Sequence, residues 1–247
     1  MKPPLARTLL RLFTVQGSWN YERMQGVGFG VAEEPLLRDL AARDGAAYRA
    51  ALARGARFFN AHPYLCGLAV GAAARAEHDG TPPEQIERLR SALGGPLGSL
   101  GDRLVWAGWL PLTSGLALVG VALGFGWWAV VAFLVVYNVG HVALRWWALR
   151  AGWVRGARVG EALRQPVLQR AAALVEPGMA LAVGAALPLA AGYLGSSLFF
   201  PGWARLTVAG VAGAGLVLLR WPRLGVTGLR FGLAAVAVAL VVGWAWR

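Results

Sequence analysis

A chain of 247 residues with 57% hydrophobic residues, 12 tryptophans and a mean hydropathy of +0.52 is too apolar for an ordinary soluble domain, and long enough for one membrane domain with several passes. Its formal charge of +12, from 24 Lys and Arg against 12 Asp and Glu, does not indicate nucleic acid. The arginines sit between apolar runs without a stripe of stacking aromatics, so topology and lipid headgroups account for them better. A single cysteine, Cys66, excludes an internal disulfide, and no Cys or His spacing suits zinc; neither a metal nor a cofactor is expected.

The opening MKPPLARTLLRLFTVQGSWN has a short apolar stretch interrupted by Arg11 and no small-residue cleavage site, so no cleavable signal is expected. Leu9, Leu10, Leu12 and Phe13 with Arg7 and Arg11 predict a basic amphipathic helix, which lies along the headgroups or docks on a partner subunit. Residues 16–29, QGSWNYERMQGVGF, crowd Trp19, Asn20, Glu22, Arg23 and Gln25 between apolar stretches. They read either as a polar-ligand site or as a surface helix whose Glu22 and Arg23 are solvated. GVGFG is no nucleotide loop, since no strand precedes it and no lysine follows. Residues 33–54 predict a surface helix pair broken at Gly45.

Residues 57–74, RFFNAHPYLCGLAVGAAA, form an apolar segment too short to span comfortably, opened by Asn60, His62 and Pro63, and the expectation is a re-entrant hairpin. Asn60 offers an amide to a sugar hydroxyl, and His62 a hydrogen bond or proton; a histidine capping backbone carbonyls is the plainer alternative. TPPEQIERLRSAL, residues 81–93, predicts a helix capped by Thr81, with Glu84 at capping-box spacing. In GGPLGSLGDRLVW, residues 94–106, four glycines predict a turn that presents Asp102 either to hydroxyl groups or to Arg103.

The chain divides near residue 103. Residues 1–103 read as an amphipathic and re-entrant helical part, and residues 104–247 as the transmembrane part, where only Glu161 and Glu176 are acidic. The runs Leu104–Gly124, Gly126–Leu144, Pro177–Phe200, Leu206–Leu219 and Leu229–Trp246 are candidate spans, judged against about 20 residues per crossing. The fold class is therefore an all-α integral membrane protein with about five hydrophobic segments, some of them broken or re-entrant. Six arginines, from Arg145 to Arg170, separate the second and third runs and place that segment, with the N-terminal half, in the cytoplasm. Pro111 and Pro188 are expected to interrupt or kink their helices.

The succession LFTVQGSWNYERMQGVGF, FFNAHPYLCG, GGPLGSLGDRLVW and YNVGHVALRWWALRAGW resembles the enzyme IID component of the mannose/fructose/sorbose family of the phosphoenolpyruvate-dependent sugar phosphotransferase system. The resemblance covers most of residues 7–160. It implies a permease subunit of the bacterial inner membrane that works with a IIC subunit, encloses a sugar with it, and is supplied with phosphoryl groups through cytoplasmic IIA and IIB proteins. It further implies a higher-order oligomer of IIC and IID pairs. No phosphorylated or catalytic residue is implied on this chain, because the family's phosphorylated histidines sit on the cytoplasmic partners. By motif, Trp19, Asn20 and Glu22 match the first block and Asn60, His62 and Pro63 the second. Gly101 and Asp102 match the third, and Asn138, His141 and Arg145 the fourth. Trp19, Asn20, Glu22, Asn60, His62 and Asp102 are the candidate sugar-contacting residues; Pro63, Gly101, Asn138, His141 and Arg145 are structural or pathway residues.

The chain departs from the family pattern at Arg103, Gly108, Leu110 and Gly140, which favours a second reading as a non-transporting membrane receptor or regulatory scaffold. A third reading uses Glu33, Glu34 and Arg38 as EExxxR and Phe58 with His62 as FxxxH, which resembles glutamate-dependent intramembrane proteases. It lacks a later HxxxN to complete the catalytic water site.

Overall fold

The computed structural model describes residues 3–163 and 166–194, which are helix, turn and loop, with only the isolated bridges Asn20 to Met24 and Met24 to Phe59 among the described residues. The helices are α1 (Leu5–Leu12), α2 (Gly26–Arg43), α3 (Gly45–Gly55), α4 (Cys66–His78), α5 (Pro83–Gly101), α6 (Leu110–Gly120), α7 (Trp127–Arg155), α8 (Gly160–Leu163) and α9 (Pro166–Leu194). Two compact units are present. Among the described residues, 3–110 with 135–174 make the first, and 111–134 with 175–194 make the second.

In the first unit, α1 buries Thr8 and Leu12 and leaves Leu10 exposed, as an amphipathic helix must. The α2–α3 pair breaks where expected: Asp44 adopts an extended conformation, and its carboxylate accepts from the amides of Ala46 and Ala47 at 2.9 and 3.0 Å. This N-cap satisfies two otherwise orphaned donors, and the same bonds hold the Asp44 carboxyl below its usual range.

Residues 57–74 are not a re-entrant hairpin. From Cys66 the chain forms α4, every residue of which as far as Ala74 is buried. A run this short and apolar is more often a core helix than a membrane element, and its small residues explain the burial here. Gly67 and Gly71 meet the backbone of α7 at Leu149 and Gly152, and a Cβ on Gly152 would stand 2.2 Å from the Leu68 carbonyl oxygen. The two helices touch backbone to backbone, the geometry that small residues four apart permit. Arg54 clamps the end of α3 to α4 through a paired contact with Glu77, Nε to Oε1 at 2.8 Å and Nη2 to Oε2 at 2.5 Å.

Two further expectations fail. Thr81 makes no side-chain cap; α5 begins at Pro83 with Pro82 as its N-cap. The glycines at 94, 95, 98 and 101 do not turn the chain either, because helix continues from Pro83 through to Phe125. Its hydrogen bonding changes from α to π over Asp102–Trp109 and again over Val121–Phe125. Pro111, two residues past the first π segment, does not break the helix, since a helix that has already shifted its hydrogen-bond partners upstream tolerates the missing donor. Likewise α9 runs on past Pro188.

The helical stretches Pro83–Phe125 and Trp127–Arg158 are long and apolar enough to cross a bilayer. Leu116, Leu118, Leu134, Val135 and Val139 on them are more than half exposed, which calls for lipid or protein cover. The chain reverses between them at Gly124 and Gly126, whose φ values of +94° and +54° suit glycine. Within the second unit, Gly115 lies against Ala182 of α9. The third expected span corresponds to the described part of α9; the fourth and fifth lie outside the described residues.

Candidate functional site

All four quoted blocks meet in the first unit, the first of them through its opening residues Leu12 and Phe13. Tyr137, His141 and Arg145 recur every four residues, so one face of α7 carries all three. Arg145 is buried, and it is held rather than solvated: Nε donates to His141 Nε2 at 2.7 Å, and Nη1 donates to the carbonyls of Leu12 at 2.5 Å and Pro63 at 3.1 Å. Its guanidinium also lies 4.8 Å from the Tyr64 ring centre and 5.1 Å from that of Phe13. Arg145 thus joins α1, the 62–65 turn and α7, and it is not one of the free topology-setting charges that its place among six arginines suggested. Arg150 and Arg158 remain exposed.

Around that cation stands a cluster of rings. Tyr64 stacks on His141 with centroids 4.0 Å apart, and its hydroxyl shares a 2.7 Å hydrogen bond with that of Tyr137. His62 lies edge-on to Tyr64 and tilted against Trp106, both at 5.0 Å. Gly101 makes room for it, since a Cβ there would fall 2.2 Å from His62 Cβ. Gly101 and Trp106 are five residues apart; the π turn between them, closing i to i+5, lets both contact one imidazole.

His62 Nδ1 accepts the Tyr64 amide at 3.2 Å, which places the ring proton on Nε2. Nε2 is buried and has no hydrogen-bond partner among the described residues. Burial, reinforced by Arg145 and His141, pushes the His62 pKa down to about 4, so the ring is neutral at physiological pH and offers one donor.

The remaining sequence candidates fall elsewhere. Asn20 spends its amide locally, with Nδ2 donating to the Ser18 carbonyl and Oδ1 accepting from the Glu22 and Arg23 amides. Trp19 packs edge-on with Tyr21 at 4.9 Å, and Glu22 lies exposed 3.6 Å from Arg23. That stretch is a tight turn and not a helix. Asn60, Asp102 and Asn138 are exposed. The departure at Gly140 is absorbed by packing, because a Cβ there would stand 3.0 Å from the Trp109 ring.

Sequence reading overlooked Tyr64, Trp106 and Tyr137 although each lies inside a quoted block, and for Tyr137 the four-residue spacing to His141 was the available signal. It also placed Glu33 in a charged surface segment. Glu33 is instead buried, and burial, partly opposed by Arg90, pushes its pKa up to about 8. Its neighbour Glu34 pairs with Arg11 and Arg38 at 2.6 Å each, so the two carboxylates do not act as one site. Among the described residues no group of three metal-ligating side chains occurs.

The sequence profile described as PTS system mannose/fructose/sorbose family IID component matches residues 2–198. The chain belongs to this family. It is 27% identical over 166 residues to the PTS system mannose-specific EIID component of Escherichia coli strain K12, covering 65% of this chain and 58% of that one. It is 33% identical over 175 residues to the sorbose-specific EIID component of Klebsiella pneumoniae, covering 67% and 62%. This IID chain therefore spans about three fifths of the length of the curated relatives it matches. Its fold is shared with a chain of the mannose transporter ManYZ in complex with microcin E492, at a TM-score of 0.59 and 21% identity over 99% of this chain and 96% of that one. A second solved membrane protein gives 0.64 at 20% identity, covering 99% and 97%.

Proposed function

We propose that this IID component is a permease subunit of the bacterial inner membrane. It translocates a hexose-type sugar together with a IIC subunit, coupled to phosphorylation by cytoplasmic IIA and IIB proteins, within a higher-order assembly of IIC and IID pairs. The observation that supports this beyond family membership is the convergence of all four blocks on one cluster around buried His62 and Arg145, where the His62 donor has no partner among the described residues. A buried donor left without a partner costs roughly 1–3 kcal/mol, so its retention points to a use. Trp19, Asn20, Glu22, Asn60, His62 and Asp102 are the proposed sugar-contacting residues. Asp102, exposed on the π segment beside Gly101, is the acceptor of hydroxyl groups among them.

The test is uptake of labelled hexoses by cells carrying the matching IIC, IIA and IIB proteins with and without this chain. Uptake that depends on the chain is expected. With Asp102→Asn the sugar affinity should fall by roughly one to two powers of ten while the complex still assembles. Uptake of equal rate without the chain would leave it the role of a non-transporting receptor or scaffold.

A further inference from the structure

The outward side of α7 is ordered independently of its His141–Arg145 side. Val135, Val139, Val142, Trp146 and Arg150 follow one another at steps of four, three, four and four residues, so they share one face, and all five are exposed. That face passes from valines to an indole to a guanidinium, and the change falls where the apolar run closes at Leu144. At the rise of an α-helix, Trp146 lies about 3 Å and Arg150 about 9 Å beyond Leu144. Each interfacial layer of a bilayer is roughly 5–7 Å deep. Side chains on a helix tilt toward its N-terminus, which here is toward the apolar run. Trp146 therefore stands at the edge of the hydrocarbon, and Arg150 reaches back to the level of the phosphates.

A second cation comes to the same height on α1. The end of α1 meets α7 at Arg145, through the Leu12 carbonyl, and at His141, 5.4 Å from the Phe13 ring, while Pro3 and Pro4 border one cleft with Trp153. This helix thus runs antiparallel beside residues 141–153 of α7, and Arg7, midway along it, stands level with Arg150. Arg7 is exposed, as is Leu10 one turn on. Neither Arg7 nor Arg150 makes an ion pair among the described residues. The neighbouring acids do not neutralise them. Glu34 is held by Arg11 and Arg38, Asp79 by Arg75, and Asp39 is matched by Arg43 one helical turn on, while Lys2 adds a further positive charge in the sequence. An apolar track, an interfacial indole and two unpaired cations at phosphate height fit an acyl chain joined to an anionic group. A headgroup with its own ammonium would add a cation to these two; one without it offers them its whole negative charge. We infer that this face is a binding site for a glycerophospholipid of net negative charge, its phosphate drawn to Arg150 and Arg7 and its acyl chain lying along Val142 and Val139.

Local quenching by brominated lipids tests this in the full chain, purified with any membrane subunit that accompanies it and reconstituted in vesicles. Val139→Cys carries a fluorescent maleimide label, and Cys66, fully buried, does not compete for it. Brominated phosphatidylglycerol should quench the label at a lower mole fraction than brominated phosphatidylcholine, by about fivefold for each arginine engaged. Arg150→Gln should remove one such factor and Arg7→Gln the other, with the melting temperature in detergent unchanged because both side chains are exposed. Arg88→Gln, exposed on α5 about 24 Å before Leu104, is the control and should remove neither. Equal quenching by the two lipids would reduce the face to ordinary lipid contact and overturn the site. So would a preference that survives both substitutions, or quenching by neither lipid, which would put a second copy or another subunit over the face. The inference rests on α7 crossing the bilayer, which quenching by either lipid measures apart from the preference between them. No readout uses sugar uptake, so a chain that binds the lipid without supporting uptake would fail the permease reading alone.

Discussion

Gly152 and Leu68 meet across the α4–α7 interface so closely that a methyl group on Gly152 would overlap the Leu68 carbonyl. Helices that pack on backbone cannot yield by rotating a side chain, so overpacking here costs at least the usual 1–3 kcal/mol. Gly152→Ala should lower the melting temperature of the detergent-solubilised chain by several degrees. Gly98→Ala, on a helix face with nothing within 4 Å, is the control and should leave stability equal or raise it by up to about 1 kcal/mol.

Arg145 is expected to be the most sensitive charged position in the chain. Arg145→Met strands the Leu12 and Pro63 carbonyls and removes a cation from two aromatic faces, a loss of about 3 kcal/mol or more. Arg145→Lys keeps the charge but not the fork geometry and should recover only part of it. Tyr137→Phe removes one hydroxyl from the Tyr64 bond and should cost about 1 kcal/mol. Melting curves of the three variants in one detergent check this order.

Glu33 gives the stability a pH dependence of defined sign. Its folded pKa of about 8 lies above its unfolded value near 4.5, so the folded state holds a proton that the unfolded state releases between those values. The Glu33 contribution is complete below about pH 4.5, declines as pH rises, and is lost by about pH 8. Within that window the slope approaches 1.4 kcal/mol per pH unit. Glu33→Gln should flatten it, melting like the parent near pH 5 and higher than the parent at pH 8. Parallel curves for the two proteins across this range would show that the carboxyl does not titrate there.

The α4–α7 contact places Arg155 and Arg158 in the same unit as the N-terminal helices, and positive charge marks the cytoplasmic side. An impermeant thiol reagent applied to intact cells should therefore reach a cysteine replacing Trp128 at the hairpin turn and fail to reach one replacing Arg158. The opposite labelling would invert the topology. The arginine distribution over the five runs puts the C-terminus outside; it lies beyond the described residues and is tested in the same way at Trp246.

Local chemistry made parts of this fold readable. The α2–α3 break needed only an aspartate able to accept two amides, and the amphipathic α1 needed only its leucine spacing. What escaped reading depended on partners distant in sequence. Gly67 and Gly71 look like loosening residues until the α7 backbone from Leu149 to Trp153 supplies the surface they fit. Arg145 looks like a topology signal until Leu12, 133 residues earlier, supplies its acceptor. The cluster's membership was half legible, since His62, His141 and Gly101 were named from their motifs. Tyr64 and Trp106 were not, because only the π register turns Trp106 toward the imidazole.

The hairpin turn also carries an optical label of its own. Trp127 and Trp128 lie face to face with centroids 3.8 Å apart and planes 28° apart, and both are largely exposed. Two indoles this close couple their strong short-wavelength transitions, so the pair contributes an exciton couplet on the red side of the helical amide bands that a lone tryptophan lacks. Loss of that couplet with the helical far-ultraviolet signal intact would report opening of the turn alone, without any attached dye.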